Sequence, residues 1–157
     1  MYNFVFYQVV DVMTPDPITI GPEVTIEEAE SVFEKHDFNG LPVVGPDGAL
    51  LGMVTKLDVL RAFNFTDRNI VPPYGQIMGQ PVSVVMTECL KVVEPETPLT
   101  RVLYDLVETR LKSFPVVEAG RLVGIVARED VLRALRLTAK GQRSSRSANH
   151  LGEAESS

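Results

Sequence analysis

The sequence predicts an α+β fold built from two β-α-β-β-α repeats. The first observation behind this prediction is that four segments recur 72 or 73 residues further along the chain, in the same order. The second is that each copy contains the same succession of strand-like and helix-like patterns. A unit of about 55 residues is too small to bury both faces of a sheet alone, so we expect the two copies to pack around a shared core. The matched pairs are 12–14 with 85–87, 41–44 with 114–117, 50–54 with 122–126, and 58–62 with 130–134.

Each copy begins with a short extended piece, residues 18–20 or 91–93, followed by a turn that contains proline. A helix should follow, with Thr25 or Thr97 as its N-cap. Thr25 with Glu28 three residues later has the form of a capping box.

A hairpin and a final helix should complete each copy. In the first copy, a strand at 42–44 turns through Gly-Pro-Asp-Gly into a second strand at 50–54. The final helices are predicted at 56–63 and 129–137. The boundaries that follow are residues 8–64 for the first repeat, 65–82 for a linker, 83–138 for the second repeat and 139–157 for a flexible basic and serine-rich tail.

The composition is that of a soluble globular protein, with 45% hydrophobic and 23% charged residues in 157. No apolar stretch approaches the ~18 residues of a membrane helix, and the run at 4–10 lacks the basic flank of a secretory signal. A net charge of −6 argues against nucleic acid as a partner. The single cysteine, Cys89, excludes an intrachain disulfide and a zinc site of several thiolates. We therefore expect a cytoplasmic protein with neither a membrane nor a nucleic-acid partner.

The residues offer little for catalysis. His36 lies near a helix end, where a capping role is usual, and His150 lies in the expected tail. No histidine is spaced to activate Cys89, and no glycine-rich phosphate loop or nucleophile elbow occurs. We predict that the chain is not an enzyme and holds no cofactor or metal.

The repeated motifs resemble those of the cystathionine-β-synthase (CBS) domain, in the tandem pair called a Bateman module. Val-Met-Thr, Pro-Val-Val, Gly-x-Val-(Thr)-x-x-Asp and Val-Leu-Arg-Ala occur in both copies, between about residues 10 and 137. The resemblance implies the α/β-type CBS fold, in which two repeats are related by a pseudo-twofold axis with two clefts between them. It also implies a stand-alone module of this family and pairing into a homodimer.

The resemblance places an adenosine ligand at the junction of strand and final helix. There, Thr55 would lie near the ribose or phosphate and Asp58 would accept both ribose hydroxyls, a task that suits a carboxylate. The alternative is that Thr-x-x-Asp is only a capping box. In the second copy Ala127 replaces the threonine; Asp130 keeps the ribose role, and Arg128 is either a phosphate contact or a solvated side chain.

The family's clefts are also lined by residues just before each Pro-Val-Val and in the first extended piece. Their side chains would contact phosphate, ribose or adenine, although the apolar ones could equally belong to the core. These further candidates are Thr19, Asn39, Gly40, Leu41, Pro42, Lys112, Ser113, Phe114 and Pro115.

The function implied is a regulatory module that binds AMP, ADP, ATP or S-adenosylmethionine and signals to an unidentified partner protein through a change of dimer geometry. The alternative is a purely structural dimerisation module with degenerate clefts. The linker, through Tyr74, Ile77 and Met78, would be a flap, a dimer contact or a plain connector. Apolar helix faces that one module leaves uncovered would form the homodimer interface. Those faces carry Val59, Leu60, Phe63, Val131, Leu132 and Leu135.

Overall fold

The computed structural model describes residues 3–38, 40–63, 73–88 and 91–154, with side chains described as far as residue 141. Six α-helices and five β-strands form within these residues. The helices are α1 (Val9–Val12), α2 (Ile26–Lys35), α3 (Lys56–Ala62), α4 (Tyr74–Met78), α5 (Leu99–Thr109) and α6 (Arg128–Ala154). The strands are β1 (Thr14–Pro15), β2 (Gly40–Val44), β3 (Leu50–Thr55), β4 (Ser113–Glu118) and β5 (Arg121–Ala127).

The two hairpins form as predicted. Strands β2 and β3 pair antiparallel, and so do β4 and β5. Gly48 and Gly120 adopt positive φ angles in the two turns, which glycine does without steric cost. The central residues of β2 and β4 are buried, and the two strands belong to separate hydrophobic cores.

The predicted first strand of each repeat is shorter than expected. Ile20 forms a single parallel bridge to Val43, and Val93 forms the equivalent bridge to Val116. A proline two residues after each bridge has no N–H to donate to the ladder, which explains why pairing stops there.

The two long helices of the repeats begin differently. Thr25 is the N-cap of α2, where its hydroxyl accepts a hydrogen bond from the Glu28 N–H at 3.2 Å. The prediction of Thr97 as the cap of α5 is wrong, because Pro98 occupies that position. The hydroxyl of Thr97 instead accepts from the Glu94 N–H at 3.0 Å and closes the preceding turn.

The leading segment of each repeat packs on the other repeat. Near the N-terminus, the Val9 N–H donates to the Thr97 carbonyl at 2.9 Å, and β1 pairs with β5. At the equivalent place in the chain, the Val82 N–H donates to the Val24 carbonyl at 2.8 Å, and Thr87 forms a bridge to Met53 of β3. The repeats therefore exchange their leading segments, which ties them into one body.

The described residues form two hydrophobic cores, one in each repeat, so the expectation of one shared core is wrong. The physical reason is that the leading segment of the other repeat completes each core. Phe4 and Val9 lie in the core of the second repeat, and Met78 and Val82 lie in the core of the first. Part of the expected linker thus belongs to a core. Of the linker residues proposed as a flap or dimer contact, Met78 is buried, whereas Tyr74 is 66% exposed and stacks on Phe63. Residues 64–72 lie outside the described residues, and the repeat boundaries remain a prediction.

The final helix is much longer than predicted. We expected it to end near residue 137 and a flexible tail to follow from 139, but α6 continues to Ala154. The segment 138–154 contains no proline, which would end or kink a helix, and its alanines and arginines are good helix formers. Residues 155–157 lie outside the described part.

Candidate functional site

A cleft of about 550 Å³ lies between the two repeats. Its walls come from the N-terminal segment, from the end of α2 into β2, and from the start of β4 and the β5–α6 junction. Both repeats thus contribute to one site, as expected from the pseudo-symmetry. The lining residues are Thr14, Asp16, Pro17, Ile18, Asp37, Phe38, Gly40, Ser113, Ile125, Ala127, Glu129 and Asp130.

Asp130 is the buried polar group of this cleft, with 6% of its surface exposed. One carboxylate oxygen, Oδ2, accepts a hydrogen bond from the Ala127 N–H at 2.8 Å. The other, Oδ1, accepts from Arg133 Nη2 at 2.9 Å, and the same nitrogen donates to the Val12 carbonyl at 3.2 Å. The carboxylate is therefore held at the first turn of α6, and each oxygen keeps a further lone pair for a ligand.

The matching carboxylate of the first repeat, Asp58, is more fully engaged. Its Oδ2 accepts from the Thr55 N–H at 2.8 Å and from the Thr55 hydroxyl at 3.0 Å, while the Asp58 N–H donates to that hydroxyl at 3.2 Å. Its Oδ1 accepts from the Thr87 hydroxyl at 3.0 Å. The capping box that the sequence allowed is thus present, and a ribose at Asp58 would compete with Thr87.

The structure brings only some of the predicted site residues to the cleft. Gly40, Ser113 and Asp130 line it, and Thr19 is exposed next to Ile18 of the lining. Asn39 lies outside the described residues. The apolar candidates, which the sequence allowed to be core, are buried: Leu41, Pro42, Phe114 and Pro115.

The two basic candidates lie elsewhere. Lys112 is exposed, and its carbonyl accepts the Arg128 N–H at 3.0 Å. The guanidinium of Arg128 donates to the carbonyls of Leu111 at 3.1 Å and of Arg110, and so covers the end of α5. In this arrangement Arg128 stabilises a helix terminus, and neither side chain is part of the cleft lining. Any role of these two residues in ligand binding stays a prediction.

Three acidic lining residues were not singled out from the sequence: Asp16, Asp37 and Glu129. Asp16 and Asp37 lie in loops that are far apart along the chain, and Asp16 adopts a positive φ of 46°. The one feature of the sequence that distinguishes these three residues is that each differs in charge from the residue at the equivalent position of the other repeat. Only the packing of the repeats shows that they share a cleft.

A second, apolar groove of about 310 Å³ runs between α5 and α6. Leu132 lines it and is 53% exposed, and Leu60 of α3 is 67% exposed. The prediction that Val131 belongs to an uncovered face is wrong, because its side chain is 2% exposed within the core of the second repeat. Val59, Phe63 and Leu135 are partly buried against the cores.

None of the helices in the described part of the chain combines the length and apolar composition of a bilayer-spanning segment. Within the same residues, no three histidine, cysteine or acidic side chains converge in a way that could hold a metal ion.

Comparison with known proteins gives consistent matches. The family model described as "CBS domain" matches residues 9–64 and 82–137. The crystal structure of CBSX2, a protein of Arabidopsis thaliana, in complex with AMP is 30% identical, with a TM-score of 0.72 over 85% of this chain and 98% of that one. The CBS domain pair of protein MJ0100, in complex with 5′-methylthioadenosine and S-adenosyl-L-methionine, is 27% identical, with a TM-score of 0.67 over 84% of this chain and 98% of that one.

Among curated relatives, the L-aspartate semialdehyde sulfurtransferase of Methanocaldococcus jannaschii is 29% identical over 124 residues. The match covers 78% of this chain but only 22% of that enzyme.

Proposed function

This chain belongs to the CBS-domain family, and we propose that it is a regulatory module that binds an adenosine-containing ligand in the cleft beside Asp130. The observation that carries the proposal is the buried carboxylate of Asp130, which opens on a cleft lined by both repeats. The AMP complex of CBSX2 and the S-adenosyl-L-methionine complex of MJ0100 support adenosine as the shared chemistry.

The geometry suits a ribose. A carboxylate with free lone pairs on both oxygens can accept hydrogen bonds from two neighbouring hydroxyls. Asp130 is already oriented by Ala127 and Arg133, so a ligand would not bear the entropic cost of ordering it. Asp58 is the weaker candidate because Thr55 and Thr87 already occupy its oxygens.

The proposed mechanism is a population shift. A ligand in the cleft contacts both repeats and therefore favours one relative orientation of them. It can shift the equilibrium only by the difference between its affinities for the two states. We propose that the shift reaches a cytoplasmic partner protein through a homodimer whose interface includes Leu60 and Leu132, both well exposed in one chain.

A thermal-shift panel of AMP, ADP, ATP, S-adenosylmethionine and GMP tests the proposal. A ligand at 100 times its dissociation constant adds about 2.7 kcal/mol to the free energy of unfolding. For a chain of this size that should raise Tm by about 5–10 °C. The adenine compounds should include at least one that stabilises the protein, and GMP should not.

Asp130→Asn then locates the site, with Asp58→Asn as the matched control at the equivalent junction. Asparagine keeps the shape of aspartate and part of its capping capacity but has one acceptor oxygen in place of two. We expect Asp130→Asn to weaken ligand binding by about 1.5–3 kcal/mol, the range for hydrogen bonds to charged groups. Calorimetry in which Asp130→Asn leaves the affinity unchanged would contradict the assignment, whatever the effect of Asp58→Asn.

The alternative function is a structural dimerisation module with degenerate clefts, favoured by the capping box that engages Asp58. It predicts no thermal shift with any member of the panel.

A further inference from the structure

The cleft beside Asp130 is strongly acidic. Asp16, Asp37 and Glu129 line it with exposed carboxylates, in addition to the buried carboxylate of Asp130. The lining residues that the structure describes include no lysine or arginine. Two exposed basic residues, Lys112 and Arg128, are next to lining residues in sequence, and the guanidinium of Arg128 is held away from the lining by the carbonyls of Leu111 and Arg110. Arg133 pairs with Asp130 at 2.9 Å, so the charge of the buried aspartate is compensated while the charges of the other three carboxylates remain.

This charge is not a general property of the repeat. The 73-residue repeat spacing relates Asp37 to Arg110 and Ile18 to Lys91, and the spacing of 72 relates Glu129 to Leu57. Lys91 forms an ion pair with Asp105 at 3.1 Å, which accounts for its charge there. Asp37 and Glu129 are thus replaced by a basic and an apolar residue at their counterparts, while the ribose-type aspartate is kept in both copies.

The acidic lining does not have the arrangement of a metal site, since no group of acidic side chains in the described residues converges on a common point. Its effect is therefore on the electrostatic potential of the cleft. In a cleft of about 550 Å³ a ligand lies within about one Debye length, ~8–10 Å, of all its walls, so the charges act on it with little screening.

Resting on the proposed function, we infer that this cleft selects an adenosine derivative with a positively charged 5′ substituent, a sulfonium, over a nucleotide. The carboxylates of Asp16, Asp37 and Glu129 attract a sulfonium and repel a phosphate, which carries one or two negative charges at neutral pH. Adenine and ribose are common to both ligand types, so discrimination comes from the 5′ substituent.

The test compares S-adenosylmethionine with S-adenosylhomocysteine by calorimetry on the full chain. The two ligands differ by one methyl group and the positive charge on sulfur. We expect S-adenosylmethionine to bind about tenfold more tightly, and AMP to bind more weakly than either. Raising the salt concentration should bring the affinities for S-adenosylmethionine and S-adenosylhomocysteine closer together, because salt screens the charges of the carboxylates.

Neutralising the lining identifies the source of the preference. Glu129→Gln should reduce the ratio of the two affinities by about two- to fivefold, the effect of one exposed charge pair. The double variant Asp37→Asn/Glu129→Gln should nearly abolish it. Glu118→Gln is the matched control, because Glu118 is an exposed carboxylate at the far end of β4 from the cleft residue Ser113.

Each outcome separates this inference from the proposed function. If no adenosine compound binds, the proposed function fails. If AMP binds more tightly than S-adenosylmethionine and Asp130→Asn weakens it, the proposed function stands and the sulfonium preference is refuted. If the two sulfur ligands bind equally, the sulfonium preference is likewise refuted. If Asp58→Asn and not Asp130→Asn weakens the binding of S-adenosylmethionine, the ligand lies at the other junction, and both the site beside Asp130 and the inference about its acidic lining are refuted.

Discussion

Replacing Val9 by alanine should destabilise the protein, because this N-terminal valine is a core residue of the second repeat. Its side chain is fully buried, and its N–H donates to the carbonyl of Thr97, almost ninety residues away. The substitution removes two buried carbons at about 0.8 kcal/mol each, and the cavity left behind adds to this loss. We expect a decrease of about 2 kcal/mol in the free energy of unfolding, or about 4–8 °C in Tm.

Val10→Ala is the matched control, since Val10 is the next residue of the same helix but is 48% exposed. It should change the free energy of unfolding by less than about 0.5 kcal/mol. Val82→Ala, at the position equivalent to Val9, should cost as much as Val9→Ala because Val82 is also fully buried. Urea unfolding followed by circular dichroism measures all three. Equal midpoints for Val9→Ala and Val10→Ala would refute the exchange of leading segments.

Three further predictions concern the exchanged strand, the capping box and the dimer. Gly124→Ala should lower the free energy of unfolding by about 1–3 kcal/mol, because a Cβ there would lie 2.9 Å from the Thr14 carbonyl oxygen. Gly141→Ala is the control: it has open space around it and should leave the stability unchanged or slightly raise it in the same unfolding assay. Equal stability of the two variants would count against the β1–β5 pairing. Asp58→Asn should lower the free energy of unfolding by about 1–2 kcal/mol without ligand, since the carboxylate accepts the Thr55 N–H and two hydroxyls; an unchanged urea midpoint would show that the capping box contributes little. Leu132→Lys should convert the proposed homodimer into monomers, and light scattering that already gives 17.3 kDa for the unmodified chain would contradict the dimer.

Much of the fold can be predicted from the sequence because its determinants are local. The hairpins follow from short apolar runs separated by turn glycines, and the start of α2 follows from the hydroxyl of Thr25. The capping box at Thr55 and Asp58 is also local, with the two residues three positions apart. The hairpin and the motifs around it occur in both copies, which is why the family could be identified from the residues.

What only the tertiary structure decided is which distant residues meet. The cleft combines Asp16, Asp37 and Glu129, whose separation along the chain gives no sign that their charges act on one ligand. Likewise, Val9 is a core residue only because its segment crosses to the second repeat. Hydrogen bonding within a turn depends on neighbours in sequence, whereas burial and electrostatic potential depend on every group nearby in space. The sequence by itself therefore determined the hairpins, the main helices of each repeat and the family, and the packing of the two repeats determined the charge of the cleft between them.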